Sequence, residues 1–184
     1  SSQSRGLGDV YKRQGWGVVV WKNNSFSYLN DGFFFQNDEL ELGKKLLRIF
    51  DSLSLLIKET KPDLIGIEQT FVGSGNVSSL KLGMARGICI LTAAKLGVKI
   101  LEIQPKLVKK NITGSGVASK DQVNLMVKNI LNIVPKSEDS SDALAVAMSI
   151  QSKSIGKLDN GEYSSKLEQA IANALKKENI NMQK

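Results

Sequence analysis

The sequence contains no histidine among its 184 residues. This absence excludes Ser-His-Asp and Cys-His catalysis, histidine-ligated zinc and acid–base chemistry by imidazole. If the protein is an enzyme, its chemistry must therefore rest on carboxylates, lysines, hydroxyls or a hard metal ion.

Cysteine is almost as scarce, since Cys89 is the single one and has no partner for an internal disulfide. No apolar run approaches the roughly 18 residues of a membrane-spanning helix, and no signal-peptide hydrophobic region is visible. These absences predict a cytoplasmic protein without a membrane partner. The residues that are present, 41% hydrophobic and 23% charged, are typical of one globular domain with a sizeable core.

The charge is basic and unevenly distributed. The chain has 25 Lys and Arg residues against 18 Asp and Glu, which gives a net charge of +7. Most of the excess falls in residues 95–120, which hold one acidic residue and six lysines: Lys95, Lys99, Lys106, Lys109, Lys110 and Lys120. A local basic field favours a polyanionic partner. A solvated lysine face explains the charge alone equally well.

The hydrophobic pattern predicts an α/β fold. Residues 15–21 and 25–29 form a hairpin around the turn pair Asn23–Asn24, and strands follow at 64–67 and 98–103. The predicted helices comprise residues 39–59 (capped by Asn37 or Asp38), 80–96, a short turn from Pro105, 120–133 (capped by Ser119), about 137–152 (capped by Ser137) and about 164–177. Strands separated by long helices indicate parallel crossovers, with the antiparallel hairpin at one edge.

Glu68 is the first candidate site residue. It directly follows the apolar residues 64–67, at the carboxyl end of a predicted central strand, where open α/β sheets bind ligands. A charge at that position is costly unless it meets a cation or a metal ion. The alternative is an exposed carboxylate just past the strand.

Asp139 and Asp142 form the second candidate. Three residues apart in the first turn of a predicted helix, they project from the same face. Acidic residues in a first turn also simply stabilise the helix dipole, so that alternative stays open. If Glu68 converges with them, the three carboxylates form an oxygen-only site suited to Mg²⁺ or Mn²⁺. Beside a basic stretch, such a site indicates metal-assisted phosphodiester hydrolysis.

Phe71 lies three residues after Glu68, in a loop that continues through the glycine- and serine-rich residues 73–79. An aromatic side chain on such a loop can stack on a base or wedge between bases. Packing of Phe71 back into the core is the alternative.

Four motifs in chain order resemble the RuvC family of Holliday-junction resolvases: residues 67–71 (IEQTF), 79–87 (SLKLGMARG), 109–116 (KKNITGSG) with 120–123 (KDQV), and 139–145 (DSSDALA). The resemblance covers about residues 15–152. It implies a ribonuclease-H-like α/β fold, with a mixed five-stranded sheet of an antiparallel hairpin plus parallel strands, flanked by helices. It also implies a homodimer that nicks four-way DNA junctions symmetrically in recombination and repair.

The resemblance implies a cofactor and partners as well. The cofactor is Mg²⁺, with Mn²⁺ as the alternative ion and two ions per subunit. The partners are the four-way junction, a second copy of the chain, and a branch-migration helicase with its junction-binding subunit. Glu68, Asp139 and Asp142 match three of the family's four catalytic metal-binding carboxylates.

The resemblance further assigns DNA-binding positions. Phe71 matches the family's junction-stacking aromatic, and Lys109 and Lys120 match basic residues that contact DNA near the scissile phosphate, with Lys110 beside them. The helix predicted from about Ser79 to Leu96 resembles the family's dimer-forming helix.

Residues 1–14 depart from the family, which opens with an aliphatic strand ending in an Asp, followed by Pro-Gly. An ungapped alignment places Gly8 at that Asp position, with Asp9 one residue off. A slip of one residue turns a strand side chain to the opposite face. We therefore expect residues 1–14 to be a non-native or disordered start, 15–155 to form the nuclease domain, and 156–184 to form a polar linker and an amphipathic helix.

The leading hypothesis is thus a metal-dependent crossover junction endodeoxyribonuclease. A junction-binding protein with impaired catalysis is the alternative, because the first-strand Asp is missing. A ribonuclease-H-like enzyme that acts on another nucleic acid is the third hypothesis.

Overall fold

Five α-helices and four β-strands form the described part of the computed structural model, which covers residues 13–35, 40–69 and 77–151. In chain order they are β1 (Arg13–Lys22), β2 (Ser25–Phe35), α1 (Leu42–Thr60), β3 (Leu64–Glu68), α2 (Val77–Lys95), β4 (Lys99–Ile103), α3 (Pro105–Thr113), α4 (Lys120–Leu131) and α5 (Glu138–Ser149). All of them belong to one structural unit, Ser1–Ser152. None of these described helices is long and apolar enough to cross a membrane.

The first two strands form the predicted antiparallel hairpin. Asn23 and Asn24 connect them with φ values of 52° and 58°, the left-handed pair that a two-residue type I′ turn requires. Asparagine tolerates this region better than most residues, which explains the turn. The hairpin is longer than predicted, because pairing extends from Lys22 opposite Ser25 to Arg13 opposite Phe35.

A bulge interrupts the hairpin near its middle. Val18 pairs with Asn30, but the next residue, Val19, pairs with Tyr28, so that Leu29 has no opposite residue. Side chains normally alternate between the two faces of a strand. The extra residue changes this parity and puts Tyr28 and Asp31, three positions apart, on the same face.

The other two strands, β3 and β4, pair in parallel, from Leu64 opposite Lys99 to Glu68 opposite Ile103. The helix α2 connects them as the predicted crossover. The α/β class with both antiparallel and parallel pairs is therefore confirmed. In the described residues, four of the five expected strands are present, as two separate two-stranded ladders.

The helix α5 packs against both ladders, on β1 and β2 as well as on β3. Glycines on the strands allow this approach: a Cβ added to Gly17 would lie 2.6 Å from Leu144 Cγ, and one on Gly66 would lie 2.8 Å from Ile150 Cγ2. A Cβ on Gly15 would overlap the backbone carbonyl of Asp139. The main buried cluster surrounds this helix: Ile103, Val108, Ile112, Ala118, Val123, Val127, Leu131, Leu144, Ala145, Val146, Met148 and Ile150.

The opposite face of the β3–β4 ladder carries α2. Glu102 precedes the core residue Ile103 on β4, so its side chain points to the other face. There the buried Glu102 carboxylate pairs with Arg86 of α2. The helix α1 packs in turn against α2.

Three of the predicted helix starts are confirmed, at Pro105, after Ser119 and after Ser137, whereas α2 begins at Val77 and not at residue 80. Ser119 and Ser137 each form a capping box at the start of α4 and α5. The helix α1 begins at Leu42, not at residue 39, and its N-cap Glu41 makes no side-chain capping bond. Glu41, directly before the helix, is exposed, so burial does not favour an earlier start. The predicted caps Asn37 and Asp38 and the predicted helix 164–177 lie outside the described residues.

Candidate carboxylate and lysine site

Glu68 is the last residue of β3, and its side chain is exposed. The β-branched residues Ile65 and Ile67 before it favour the strand. Its position opposite Ile103 and two residues after Gly66 places its side chain on the α5 side of the ladder. The sequence prediction that Glu68 stands at the carboxyl end of a strand is confirmed.

Asp139 and Asp142 lie in the first turns of α5. The Ser137 hydroxyl accepts a hydrogen bond from the Ser140 backbone N–H, and the Ser140 hydroxyl accepts one from the Ser137 N–H. This capping box satisfies two amide donors that a helix start leaves free. It thereby fixes the backbone that carries both aspartates, each of which remains partly exposed.

Lys120 is the first residue of α4, a position at which the helix dipole disfavours a cation. Its ammonium lies 3.0 Å from an Asp142 carboxylate oxygen and 3.5 Å from one of Glu138. The start of α4 is held beside α5 by the Ser141 hydroxyl, which donates to Asn124 Oδ1 at 2.8 Å. The negative charge of α5 therefore compensates the lysine.

The pKa values of Glu68 and Asp142 are raised, mainly by partial desolvation and then by neighbouring carboxylates. Partial desolvation raises the pKa of Glu68 above its ordinary value, the Asp142 charge raises it further, and Lys109 opposes the rise. Desolvation also raises the pKa of Asp142, helped by the charges of Asp139 and Glu138, although Lys120 opposes it. Glu68, Asp142 and Asp139 thus form a chain of interacting charges with Asp142 in the middle.

The basic residues of α3 occupy two different positions. Lys109 is partly buried, and its charge interacts with Glu68. Lys110 is exposed and forms no ion pair with the carboxylates among the described residues. Phe71 lies outside the described residues, so its stacking role stays a prediction.

Three oxygen ligands of this type match the preference of a hard divalent cation. The four interacting carboxylates, Glu68, Glu138, Asp139 and Asp142, outnumber the two lysines, Lys109 and Lys120, which also favours such an ion. Within the described ranges, however, no three Cys, Asp or Glu side chains are close enough together to hold a metal ion. The types of ligand present suit such a cation. In the described structure, the positive group next to Asp142 is the Lys120 ammonium.

Sequence reasoning missed one member of this site. Glu138 is not among the candidate residues that the sequence indicates, yet it contacts the Lys120 ammonium together with Asp142. The spacing of residues 138 and 142 puts both on one helix face, but their contact with Lys120 depends on the packing of α4 beside α5.

Comparison with known proteins shows which protein family the chain resembles in sequence. The family model described as "Crossover junction endodeoxyribonuclease RuvC" matches residues 6–150. Proteins of that name from Bradyrhizobium diazoefficiens and Rhizobium johnstonii are 38% and 35% identical over 144 residues, which is 78% of this chain and 82% and 85% of theirs.

Solved structures agree with the sequence relatives. RuvC from Thermus thermophilus has a TM-score of 0.70 at 26% identity, covering 77% of this chain and 89% of its own. The same protein in complex with a Holliday junction substrate has a TM-score of 0.74 at 26% identity, covering 79% and 91%.

The fold class is therefore that of the ribonuclease-H-like endonucleases. The chain belongs to the RuvC family of crossover junction endodeoxyribonucleases.

Proposed function

We propose that this chain resolves four-way DNA junctions by paired symmetrical nicks, in a reaction that depends on a divalent cation. Besides family membership, one observation carries the proposal: β3, α4 and α5 bring Glu68, Lys120 and Asp142 into one interacting group of charges. An anionic backbone and a hard cation are the two ligands that such a mixed group can bind together.

In the proposed mechanism Glu68, Asp139 and Asp142 hold Mg²⁺, with Mn²⁺ as the alternative and two ions per subunit. When bound, the ions activate water and stabilise the leaving oxygen of the phosphodiester. Lys120 and Lys109 contact the phosphates next to the scissile bond. Lys110, exposed on the same helix as Lys109, binds the neighbouring backbone through charge, without reading sequence.

A homodimer is part of the proposal, with α2 as its interface. Leu80 and Leu91 are 60% and 57% exposed on this helix. Cβ atoms added to Gly83 and Gly87, between the two leucines, would meet nothing within 4 Å. Their spacing follows the helical repeat, so these four residues form one exposed apolar face. Two copies of that face would bury each other and bring two sites to one junction.

The remaining partners follow from the family resemblance. We propose that Phe71 stacks on bases at the junction and that the dimer works with a branch-migration helicase and its junction-binding subunit. A cytoplasmic location, where chromosomal recombination intermediates of bacteria are found, is consistent with this role.

The decisive experiment compares Glu68→Gln with Glu59→Gln on a synthetic four-way junction with Mg²⁺. Glu68→Gln should abolish nicking and leave junction binding intact, because the amide keeps the shape and removes the charge that holds a cation. Glu59, exposed at the end of α1, is the matched control and should nick normally. Normal nicking by the Glu68 variant would remove it from the catalytic role.

A second candidate function is junction binding without cleavage. Gly8 stands where the family has its first-strand Asp, and in the described residues the β1–β2 and β3–β4 ladders share no hydrogen-bonded pair. A variant in which residues 1–14 are replaced by an aliphatic strand ending in Asp, then Pro-Gly, separates the two. If the variant nicks the junction and the original chain does not, the second candidate is favoured. If the variant and the original chain nick equally, it is excluded.

A further inference from the structure

Asp31 on β2 is a buried carboxylate that the proposed function does not use. It is only 1% exposed. The Tyr28 hydroxyl donates to its Oδ1 at 2.7 Å, while the Lys136 backbone N–H and the Ser140 hydroxyl donate to its Oδ2 at 2.8 and 2.5 Å. A buried charge is costly unless it is hydrogen-bonded, and this one has donors on both oxygens.

The bulge at Leu29 explains why the carboxylate faces inward. Without the extra residue, Asp31 would share a face with Leu29 and not with Tyr28. Because the parity changes, Asp31 lies opposite Gly17, on the side that contacts α5. The hairpin therefore contains a local irregularity whose effect is to aim one carboxylate at the start of α5.

The groups that Asp31 binds lie on both sides of Ser137, the N-cap of α5. Lys136 precedes the cap, and its side-chain ammonium also donates to the Asp31 carbonyl and to Asn30 Oδ1, each at 2.8 Å. Ser140 follows the cap and is the second half of the capping box. Ser140 is adjacent to Asp139 and two residues before Asp142.

We propose that Asp31 is a positioning residue, which fixes the first turn of α5 and thereby the orientation of Asp139 and Asp142. The inference rests on the proposed function, since that function gives the two aspartates a cation to hold. Asp31 acts through Ser140 and Lys136 and contacts neither cation nor DNA.

The charge of Asp31 strengthens this arrangement. Burial raises the pKa of its carboxyl, but the hydrogen bonds from Ser140, Tyr28 and Lys136 outweigh burial and hold the pKa below its ordinary value. The group therefore stays ionised, and hydrogen bonds to an ionised acceptor are stronger than those to a neutral one. A neutral packing residue would not give this rigidity.

The test compares Asp31→Ala and Asp31→Asn by two measurements. The first is amide hydrogen exchange at Ser140 and Ser141, whose N–H groups bond to Ser137, with Ile150 at the other end of α5 as reference. The second is calorimetric affinity for Mn²⁺ alone. Asn keeps the shape and an acceptor oxygen for Ser140 and Lys136, and its amide can donate to the Tyr28 oxygen.

Asp31→Ala should raise exchange at Ser140 and Ser141 by about tenfold or more, since it removes hydrogen bonds to a charged acceptor. Exchange at Ile150 should stay unchanged. Mn²⁺ binding should weaken by about 10–100-fold, the usual effect of losing a residue that supports a ligand. Asp31→Asn should fall between Asp31→Ala and the unmodified chain in both measurements, because it keeps the acceptor oxygen but loses the charge that strengthens the hydrogen bonds.

The control Ile49→Val lowers stability from the buried side of α1 and should alter neither measurement. Unchanged exchange in Asp31→Ala, or an equal rise at Ile150, would overturn the inference, and so would faster exchange without weaker Mn²⁺ binding. If the unmodified chain binds no Mn²⁺, the cation site of the proposed function is wrong. The exchange measurement then still decides whether Asp31 anchors the turn.

Discussion

Lys120 of this site pairs with Asp142 in the free chain and, in the proposed function, with a DNA phosphate. Burial lowers the pKa of its amine, but the hydrogen bond and charge of Asp142, with Glu138, outweigh burial and raise it above the ordinary value. The amine therefore stays protonated at neutral pH. Because about half of each side chain is exposed, at 51% for Lys120 and 45% for Asp142, the ion pair contributes only about 0–1 kcal/mol. Replacing Asp142 by a DNA phosphate as the partner of Lys120 therefore costs little free energy.

Lys120→Ala should weaken junction binding and reduce the salt dependence of the affinity, because one phosphate contact is lost. The slope of log affinity against log salt concentration should fall by about one unit. Lys128→Ala, an exposed lysine two turns further along α4, is the control and should keep the slope. Equal slopes in both variants would return Lys120 to a solvated surface position.

Cys89 gives a prediction for pH, because burial raises the pKa of its thiol to about 11. At pH 8 the folded chain should react with iodoacetamide about two hundredfold more slowly than the urea-unfolded chain, whose thiol pKa is about 8.5. The folded thiol holds its proton more tightly, so this contribution to stability is complete below about pH 8.5 and is lost as the pH rises towards 11. Equal alkylation rates would contradict the burial.

Among the elements, α5 has the most demanding position, because it carries two aspartates and contacts both ladders. Its approach depends on glycines, since the strand backbones come close enough to touch the helix itself. The same contacts transmit any change in β1 to the turn that holds Asp139. The position of Asp139 therefore depends on how α5 packs against β1.

Gly17→Ala should lower the free energy of unfolding by about 1–3 kcal/mol, because its Cβ would lie 2.6 Å from Leu144 Cγ and 2.9 Å from the Leu144 backbone N. Gly43→Ala in α1 is the matched control, since its Cβ would meet nothing within 4 Å. That variant should gain up to about 1 kcal/mol from helix propensity. Urea denaturation measures both. A neutral Gly17 variant would show that α5 can move away from β1.

The helix α2 has one face that is buried within the chain and one that is exposed. Ala85, Thr92 and Ala93 are buried within the chain, whereas Leu80 and Leu91 are exposed. Nothing within the described chain requires leucine at the exposed positions. A second copy of the helix is the partner that the proposed homodimer supplies.

Leu91→Asp should therefore give a monomer in analytical ultracentrifugation, because two carboxylates would be buried at the interface. Leu55→Asp on α1 is the control, with 58% exposure against 57% for Leu91. It should leave the oligomeric state unchanged. If both variants sediment like the original chain, α2 is not the interface.

For the molecule as a whole, local sequence signals predicted much of the architecture. The Asn23–Asn24 turn and the caps Ser119 and Ser137 were predictable, because each depends on residues close in sequence, and the parallel pairing of β3 with β4 followed from the long helix between them. Glu68 at a strand end was predictable for the same reason.

The features that the sequence did not reveal depend on pairing between distant residues. The bulge at Leu29 is visible only once Val18 and Val19 are aligned with β2, and no propensity indicates it. The pairing of Lys120 with Glu138 needs α4 and α5 side by side. Asp31 had no signal at all, since an aspartate before a glycine is usually a turn residue.

Insertions and deletions in the β1–β2 hairpin obey a parity rule. The two-residue turn at Asn23–Asn24 sets the pairing register, and the single extra residue Leu29 then decides which face Asp31 occupies. A gain or loss of one residue between Ser25 and Asn30 exchanges those faces unless a compensating bulge appears, whereas a change of two residues preserves them. Hairpin tips are ordinarily where length changes are tolerated best. In this domain, one residue added beside the tip would turn the Asp31 carboxylate away from the first turn of α5.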